Sequence, residues 1–300
     1  MISVLIPIYN YNSTKLVVSI HQQLELLSVK YEILCIDDAS TKYIIENAII
    51  KDLFNTKLFT LKENIGRSKI RNLLVEKAKF NWLLFLDADV YPKDNLFVKN
   101  YINCIESKNE LVFCGGICYD EQKPSNDKLL RWIYGKKREE ISADYRSEKP
   151  YQFVSGANFL INKTIFNTIN FNVNIVEYGY EDVLFVEDLK INKIKISHID
   201  NQVFHLGIES SLVFLNKTKE AISNLLNISS NKILKGDNLK LLKTYKKLKS
   251  NKLCWFIGGG FYLFKKVFEA NLLSKKPSLF VFDLYKLGYL CYLDMNNKSI

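Results

Sequence analysis

Residues 82–90 read WLLFLDADV, an apolar run that ends in two aspartates, Asp87 and Asp89. Such a run is typical of a buried strand in a largely parallel sheet. Because side chains alternate along a strand, we expect both aspartates to project to one side at its carboxyl end, the edge where open α/β sheets bind ligands. Two carboxylates there suit Mg²⁺ or Mn²⁺, which would be bound by a few protein oxygens and by substrate phosphates. A polar strand exit without a ligand is the alternative.

The first 120 residues alternate short apolar runs with longer amphipathic stretches, which predicts βαβ units around a mainly parallel sheet. Helices are expected near 16–27, 65–78 and 182–191, and residues 122–150 read as a long, partly helical and mobile connection. The predicted strands cover residues 2–8, 31–36, 57–61, 82–86, 111–115, 159–161 and 203–205.

Polar residues also follow the second predicted strand. Residues 36–40 read IDDAS, and Asp38 is placed to accept a hydrogen bond from a base N–H or a ribose hydroxyl. Ser40 suits the start of a helix as a cap, and capping alone is the competing explanation for both residues.

Two further segments suit a nucleotide. Residues 7–10 read PIYN, which puts the ring of Tyr9 at the same sheet edge, where it can stack on a base. Residues 64–72 read NIGRSKIRN, and the helix that starts near Gly66 offers free N–H groups and cations such as Arg71 to a diphosphate. A surface helix with solvated basic residues is the alternative.

The segments VLIPIYN, ILCIDDAS, NIGRSKIRN and WLLFLDADV, in this order, resemble the inverting family-2 glycosyltransferases over residues 1 to about 210. The resemblance implies a GT-A fold, a nucleoside diphosphate sugar as donor, and Mn²⁺ or Mg²⁺ bridging its phosphates. By position it implies that Pro7, Tyr9 and Asp38 surround the base, that Asp87 binds the ribose and that Asp89 binds the metal. The expected donor-binding set is Pro7, Tyr9, Asn10, Asp38, Gly66, Arg71, Asp87, Ala88, Gly156 and Asn158.

An inverting transfer also needs a carboxylate that removes the proton of the acceptor hydroxyl. Residues 177–182 read EYGYED and offer adjacent acids at the start of a predicted helix. Matching these positions to the family makes Asp182 the base and Glu181 the acceptor-binding group. Acids that merely favour the positive end of a helix dipole are the alternative.

Two later segments extend the resemblance. Residues 155–158 (SGAN), with Gly156 and Asn158, resemble the family segment that borders donor sugar and acceptor, although a plain strand-entry turn is the alternative. His205 resembles the family's late histidine, which can complete the metal site, against the alternative of a hydrogen-bonded structural histidine. His21 and His198 match no motif and are expected to be structural.

The net charge of +10 is concentrated late in the chain. Residues 215–300 contain 16 Lys, no Arg and only 5 acids, whereas residues 1–214 are nearly neutral. The lack of Arg disfavours nucleic acid and leaves an anionic membrane surface, or a helical cap or oligomer contact. The uncharged run 253–264 is shorter than the roughly 20 residues that cross a bilayer, but with 278–293 it can lie in a membrane interface.

Residues 1–210 are therefore predicted to form the GT-A domain, with a donor-binding half (1–120) and an acceptor half (121–210), followed by a basic helical region (211–300). The six scattered cysteines indicate reduced thiols in the cytoplasm. Because the chain opens as a strand without a basic leader, we expect no secretory signal. We expect a cytoplasmic protein that associates peripherally with the inner face of the membrane.

The predicted function is metal-dependent, inverting transfer of a hexose from a UDP-sugar to a hydroxyl of a glycan or lipid-linked saccharide, in polysaccharide biosynthesis. No nucleic-acid partner is expected. A non-catalytic nucleotide-sugar-binding or membrane-docking protein is one alternative. A nucleotidyltransferase is another, which is disfavoured because residues 6–15 (IPIYNYNSTK) contain no Gly-rich, basic loop.

Overall fold

The computed structural model of the chain describes residues 1–107, 110–175, 179–231, 233 and 239–297. Glu177 and Tyr178 of the acidic segment EYGYED lie outside the described residues. The strands are β1 (Ile2–Ile8), β2 (Tyr31–Asp37), β3 (Thr56–Thr60), β4 (Trp82–Leu86), β5 (Val90–Pro92), β6 (Val112–Cys114), β7 (Ile117–Cys118), β8 (Asn158–Asn162), β9 (Ser197–His198) and β10 (Val203–His205).

The α-helices are α1 (Thr14–Glu25), α2 (Ile44–Ala48), α3 (Arg67–Lys77), α4 (Phe97–Ser107), α5 (Leu129–Tyr134), α6 (Ala143–Glu148), α7 (Lys163–Thr168), α8 (Glu181–Ile191), α9 (Ser211–Ser230), α10 (Lys240–Ser250), α11 (Cys254–Leu272) and α12 (Leu279–Asn297). Two short 3₁₀ helices, Ile49–Asp52 and Asn126–Lys128, and a π-helix, Gly135–Glu139, complete the regular structure of the described residues.

Within the described part of the chain, seven strands form one sheet in the order β3-β2-β1-β4-β8-β6-β9. The β1 strand runs parallel to β2 and β4, β2 runs parallel to β3, and β6 runs parallel to β9, while β8 is antiparallel to both of its neighbours. A second sheet has three strands, in the order β5-β10-β7. The predicted fold class, α/β with a mostly parallel sheet and C-terminal helices, is confirmed.

The long apolar runs became strands where expected, and β1, β4 and β10 agree with the prediction at both ends. The short strands β5, β7 and β9 were not predicted. Each has only two or three residues and is defined by pairing with distant segments, so it leaves no alternating pattern of useful length.

Part of the predicted mobile connection, residues 138–150, is anchored by the buried side chain of Arg146. Its guanidinium donates to the carbonyl oxygens of Cys114, at 2.9 Å, and Ile199, at 2.8 Å, and to Nδ1 of His198 at 2.8 Å. His198 in turn bonds through Nε2 to the Pro150 carbonyl at 2.9 Å. One arginine thus satisfies several carbonyl groups at the end of β6 and ties this segment to the sheet, while the mobility expected for residues 122–150 stays a prediction.

A group of phenylalanines joins the centre of the sheet to α8. Phe85 of β4 stacks on Phe159 of β8 with centroids 4.6 Å apart, and Phe171 stacks on Phe185 of α8 at the same distance. Phe159 and Phe185 are 6.0 Å apart, so the two pairs are continuous. Such aromatic pairs contribute about 0.5–1.5 kcal/mol each beyond area burial. They hold the helix that begins with Glu181 close to the strand that precedes Asp87.

The chain divides into two compact units. One comprises residues 1–119, 138–176 and 181–207 and contains both sheets, and the other comprises 120–137, 177–180 and 208–300. The second unit has two apolar clusters, one centred on Leu225, Leu242 and Leu290 and one on Phe261 and Phe282. No helix among the described residues is long and apolar enough to cross a membrane.

Candidate active site

Arg71 lies at the centre of three carboxylates although its side chain is only 1 % exposed. Its Nη2 donates to Oδ1 of Asp87 at 2.7 Å, and its Nη1 lies 3.7 Å from Oε1 of Glu181 and 3.5 Å from Oδ1 of Asp182. The guanidinium also lies over the ring of Phe171, 5.2 Å from its centroid. The structure thus brings together Asp87, directly after β4, and Glu181 and Asp182, at the start of α8, around one cation from α3.

This arrangement shifts the pKa values of two carboxyl groups in opposite directions. Burial alone raises the pKa of Asp87, but the charges of Arg71 and Arg67 outweigh burial and hold it below its ordinary value. For Asp182, burial raises the pKa, and the negative charges of Glu181 and Asp87 add to burial against the opposing effect of Arg71. Asp182 is therefore the more basic of the two carboxylates.

Gly156 approaches the Asp182 carboxylate closely. Its N–H donates to Oδ2 of Asp182 at 3.0 Å. A Cβ at position 156 would lie 2.6 Å from Oδ1 of Asp182 and 3.0 Å from Nη2 of Arg71, which is too short for ordinary contact. A side chain at position 156 would displace the carboxylate, whereas the Gly156 N–H bonds to it directly.

Asp89 has a different neighbour from Asp87. The strand β4 ends at Leu86, and Asp87 to Asp89 form the turn that leads into β5. The strand periodicity that we used to place both carboxylates on one side therefore does not apply. Oδ2 of Asp89 lies 3.4 Å from Nε2 of His205, because β5 pairs with β10 so that Val90 is opposite His205.

The Asp89–His205 pair is compatible with a hard divalent cation. Both side chains are partly exposed, at 29 and 14 %, and a carboxylate oxygen and an imidazole nitrogen face each other. Gly207 leaves room for the Asp89 carboxylate, since a Cβ at position 207 would lie 2.2 Å from Oδ2 of Asp89. Within the described ranges no group of three or more His, Cys, Asp and Glu side chains could hold a metal ion. A cation held by these two side chains alone would need water and phosphate oxygens as its remaining ligands.

The Asp89–His205 pair lies close to the carboxylates around Arg71 and has two tyrosine neighbours. His205 lies near enough to Asp87 to help lower the pKa of that carboxyl group. The pKa of Tyr11 is raised, first by burial and then by the charge of Asp89. Tyr119 packs against the His205 ring with centroids 5.6 Å apart.

Asp38 connects the end of β2 to the start of α3. Its carboxylate accepts the N–H groups of Ile65, at 2.8 Å, and Gly66, at 3.2 Å. Burial raises the pKa of this carboxyl group, and the two N–H groups oppose the rise. Gly66 has a φ of +83°, the left-handed region that favours glycine, directly before the first helical residue, Arg67. The position of α3 and of its two arginines thus depends on Asp38.

The residues that follow β1 form a braced loop. The Asn10 side-chain oxygen accepts the N–H groups of Thr41, at 2.8 Å, and Lys42, at 3.1 Å. Tyr9 is 56 % exposed, so its ring is accessible to a base. Pro7 lies on β1 beside Ile36 of β2.

Two predicted donor-binding residues have internal partners instead. Arg71, expected at a diphosphate, is buried against carboxylates. Asn158 is 1 % exposed; its amide donates to the carbonyl oxygens of Gly116 and Asn201, and its oxygen accepts from the Tyr101 hydroxyl. Neither side chain presents an exposed polar group to a ligand, and Asn158 acts as an internal brace.

Arg67 is a residue of the candidate site that the sequence analysis did not predict. Its side chain is 51 % exposed, lies 3.1 Å from Oε1 of Glu181, and lies 4.0 Å from Oδ2 of Asp87. The signal was present in the sequence, because residues four apart share one face of a helix and place Arg67 beside Arg71.

Residues 3–169, more than half of the chain, match the sequence model of the family described as Glycosyl transferase family 2. The chain belongs to this family. The predicted family and the predicted enzyme class, a glycosyltransferase of GT-A type, are thereby confirmed. The motifs that carried the resemblance, from VLIPIYN to WLLFLDADV, all lie within the matched residues.

This family-2 chain is 35 % identical over 136 residues to an uncharacterized glycosyltransferase of Haemophilus influenzae. The match covers 43 % of the chain and spans about half, 52 %, of that relative.

Two solved structures share the fold of the family-2 chain. The first is S. aureus TarS 1–349 in complex with UDP, with a TM-score of 0.52, 18 % identity, and coverage of 100 % of this chain and 92 % of that one. The second is the mannosyltransferase PcManGT from Pyrobaculum calidifontis in complex with GDP-Man and Mn²⁺, with a TM-score of 0.60, 10 % identity, and coverage of 99 and 87 %. At these identities the similarity concerns the fold.

Proposed function

We propose that this protein is an inverting glycosyltransferase that uses Asp182 as general base. The observation that carries the proposal is the position of Asp182 in a family-2 chain. Its carboxylate has a raised pKa and shares Arg71 with Asp87, the residue proposed to bind the donor ribose. A base with a raised pKa accepts a proton more readily in the transition state.

In the proposed reaction the acceptor oxygen attacks the anomeric carbon while the bond from that carbon to the diphosphate breaks. The hydroxyl proton moves to Oδ2 of Asp182, since Oδ1 is buried against Arg71. The Gly156 N–H orients Oδ2 during this transfer. Glu181, held by Arg67 at 3.1 Å, is proposed to position the acceptor.

The donor is proposed to lie along the ends of β1, β2 and β4. Tyr9 offers an exposed ring to the base, and Pro7 and Asp38 shape the surrounding loops. Asp87 is proposed to accept from the ribose, next to Ala88 in the same turn. Gly66 and the exposed Arg67 replace the buried Arg71 as the proposed partners of the diphosphate.

Asp89 and His205 are the residues proposed to hold Mn²⁺ or Mg²⁺. A cation bound there would offset the negative charge that develops on the diphosphate. The Asp89 carboxylate and the facing Nε2 of His205, 3.4 Å apart, support this assignment.

UDP-sugars are the proposed donors, and a hydroxyl of a glycan or lipid-linked saccharide is the proposed acceptor. The UDP bound to TarS and the GDP-Man bound to PcManGT make uridine and guanosine donors the first pair to compare. We further propose that residues 1–210 carry the reaction, that 211–300 form an accessory region, and that the protein works in the cytoplasm, where its six free thiols stay reduced.

The test is donor hydrolysis and transfer with UDP- and GDP-sugars, with and without Mn²⁺, in the wild type and in Asp182→Asn. We expect the variant to bind donor like the wild type and to turn over about 10²–10⁴-fold more slowly. Asp52→Asn, at an exposed position in the 3₁₀ helix Ile49–Asp52, is the matched control. Donor binding without turnover in the wild type would identify a non-catalytic binding protein, and wild-type turnover by Asp182→Asn would exclude Asp182 as the base.

A further inference from the structure

The outward side of α11 is apolar, unlike that of an ordinary surface helix. A water-soluble helix places charged and polar residues on its outer side. On α11, six large apolar or aromatic side chains are instead 57–75 % exposed. They are Trp255, Phe256, Tyr262, Leu263, Phe264 and Val267, which we call the α11 apolar face.

The opposite side of α11 is already packed against α12. A Cβ on Gly258 would lie 3.0 Å from the backbone nitrogen of Tyr292, so the two helices are in close contact there. Farther along, Phe261 lies against Gly288 and has its ring centroid 5.1 Å from that of Tyr285. The α11 apolar face is therefore a second apolar side, in addition to the one that forms the core of this unit.

Exposed lysines lie within α11 and close to both of its ends. Lys252 precedes the helix, Lys266 lies among its exposed residues, and Lys275 and Lys276 follow it, all with exposed side chains. They belong to a segment that carries 16 Lys and 5 acids. An apolar face with lysines near it matches the chemistry of an anionic bilayer, with acyl chains below and negative headgroups around them.

The aromatic content of the face also favours a bilayer. Trp255 and Tyr262 combine an apolar ring with a polar N–H or O–H group, which suits the boundary between headgroups and acyl chains. The helix is not apolar enough to cross a membrane, as found above for all described helices. It would consequently lie along the surface.

We propose that the α11 apolar face is a docking surface for anionic lipid bilayers. A second copy of this chain is a poorer occupant, because a twofold contact places the same surface on both sides and would bring these lysines of the two copies together. This proposal is independent of the proposed transfer reaction, since it uses none of the residues assigned to it.

The test is co-sedimentation of the full chain with vesicles of phosphatidylcholine alone or with about 30 % phosphatidylserine. We expect binding to the anionic vesicles that weakens with salt. The triple variant Trp255→Ser/Phe256→Ser/Leu263→Ser should bind on the order of tenfold or more weakly. A matched control, Leu26→Ser/Ile45→Ser/Phe54→Ser, removes apolar residues elsewhere that are 70–86 % exposed and should bind like the wild type.

A second measurement does not depend on the triple variant's folding. Brominated lipids should quench part of the tryptophan fluorescence of the wild type, and this part should be missing in Trp255→Phe. Equal vesicle binding by the triple variant and the wild type would overturn the proposal, as would the absence of Trp255 quenching. A wild-type dimer that ignores vesicles and becomes a monomer in the triple variant would overturn it in favour of a contact between copies.

Discussion

Nη2 of Arg71 lies 2.7 Å from Oδ1 of Asp87, and the guanidinium is almost completely buried. The other terminal nitrogen, Nη1, is directed at Asp182, 3.5 Å away. One internal cation therefore connects the proposed ribose-binding residue with the proposed base. Arg71 therefore fixes Asp87 and Asp182 relative to each other without itself being exposed to a ligand.

Replacing Arg71 with Met should destabilise the fold by about 3–5 kcal/mol, because it leaves neighbouring carboxylates without their buried counter-ion. The measurement is the free energy of unfolding by chemical denaturation at neutral pH. Arg67→Met is the control, since Arg67 is half exposed and its ion pairs should be worth about 1 kcal/mol or less. Equal losses in the two variants would contradict the central role of Arg71.

Glu181→Gln should move the acid limb of the kcat/KM profile to lower pH. Asp182 acts as a base only when deprotonated, so activity falls as pH drops through its raised pKa. Burial raises that pKa first and the Glu181 charge raises it further, so neutralising Glu181 lowers it. Glu148→Gln, an exposed position on α6, should leave the profile unchanged. A limb that stays in place or moves to higher pH would show that another group controls it.

Gly156→Ala should reduce turnover strongly, because the added Cβ would lie 2.6 Å from the Asp182 carboxylate and displace it. The measurement is turnover together with donor affinity and melting temperature. Gly259→Ala is the matched control, because a Cβ there meets nothing within 4 Å and the helix gains up to about 1 kcal/mol. Full turnover in Gly156→Ala would mean that the position of Asp182 is not critical.

Asp89→Asn should abolish the cation-dependent part of donor binding. For the wild type we expect UDP and Mn²⁺ together to raise the melting temperature more than either alone, as linked binding requires. For Asp89→Asn the added effect of Mn²⁺ should disappear, whereas Asp52→Asn should keep it. If Asp89→Asn responds to Mn²⁺ like the wild type, the cation binds elsewhere. This readout does not require catalysis.

The strands and the family were predictable because their signals are local. A buried strand such as β4 needs consecutive apolar residues. The motifs at the ends of β1, β2 and β4 are short and contiguous, so they can be recognised in the sequence. Parallel neighbours then bring the ends of these strands to one edge. The short strand β5 lacked such a signal, although it determines where His205 lies relative to Asp89.

The amino-acid order was thus sufficient for the α/β class and the family, and it suggested the carboxylates of the candidate site. The tertiary structure alone decided their partners: it buried Arg71 among acids, enclosed Asn158 among carbonyl groups, and turned Asp89 toward His205. The physical reason is that a charged side chain has the same local pattern whether it faces a ligand, water or an internal ion. Its partner, such as Glu181 for Arg67, lies 114 positions away and is selected only when the core brings α3 and α8 together.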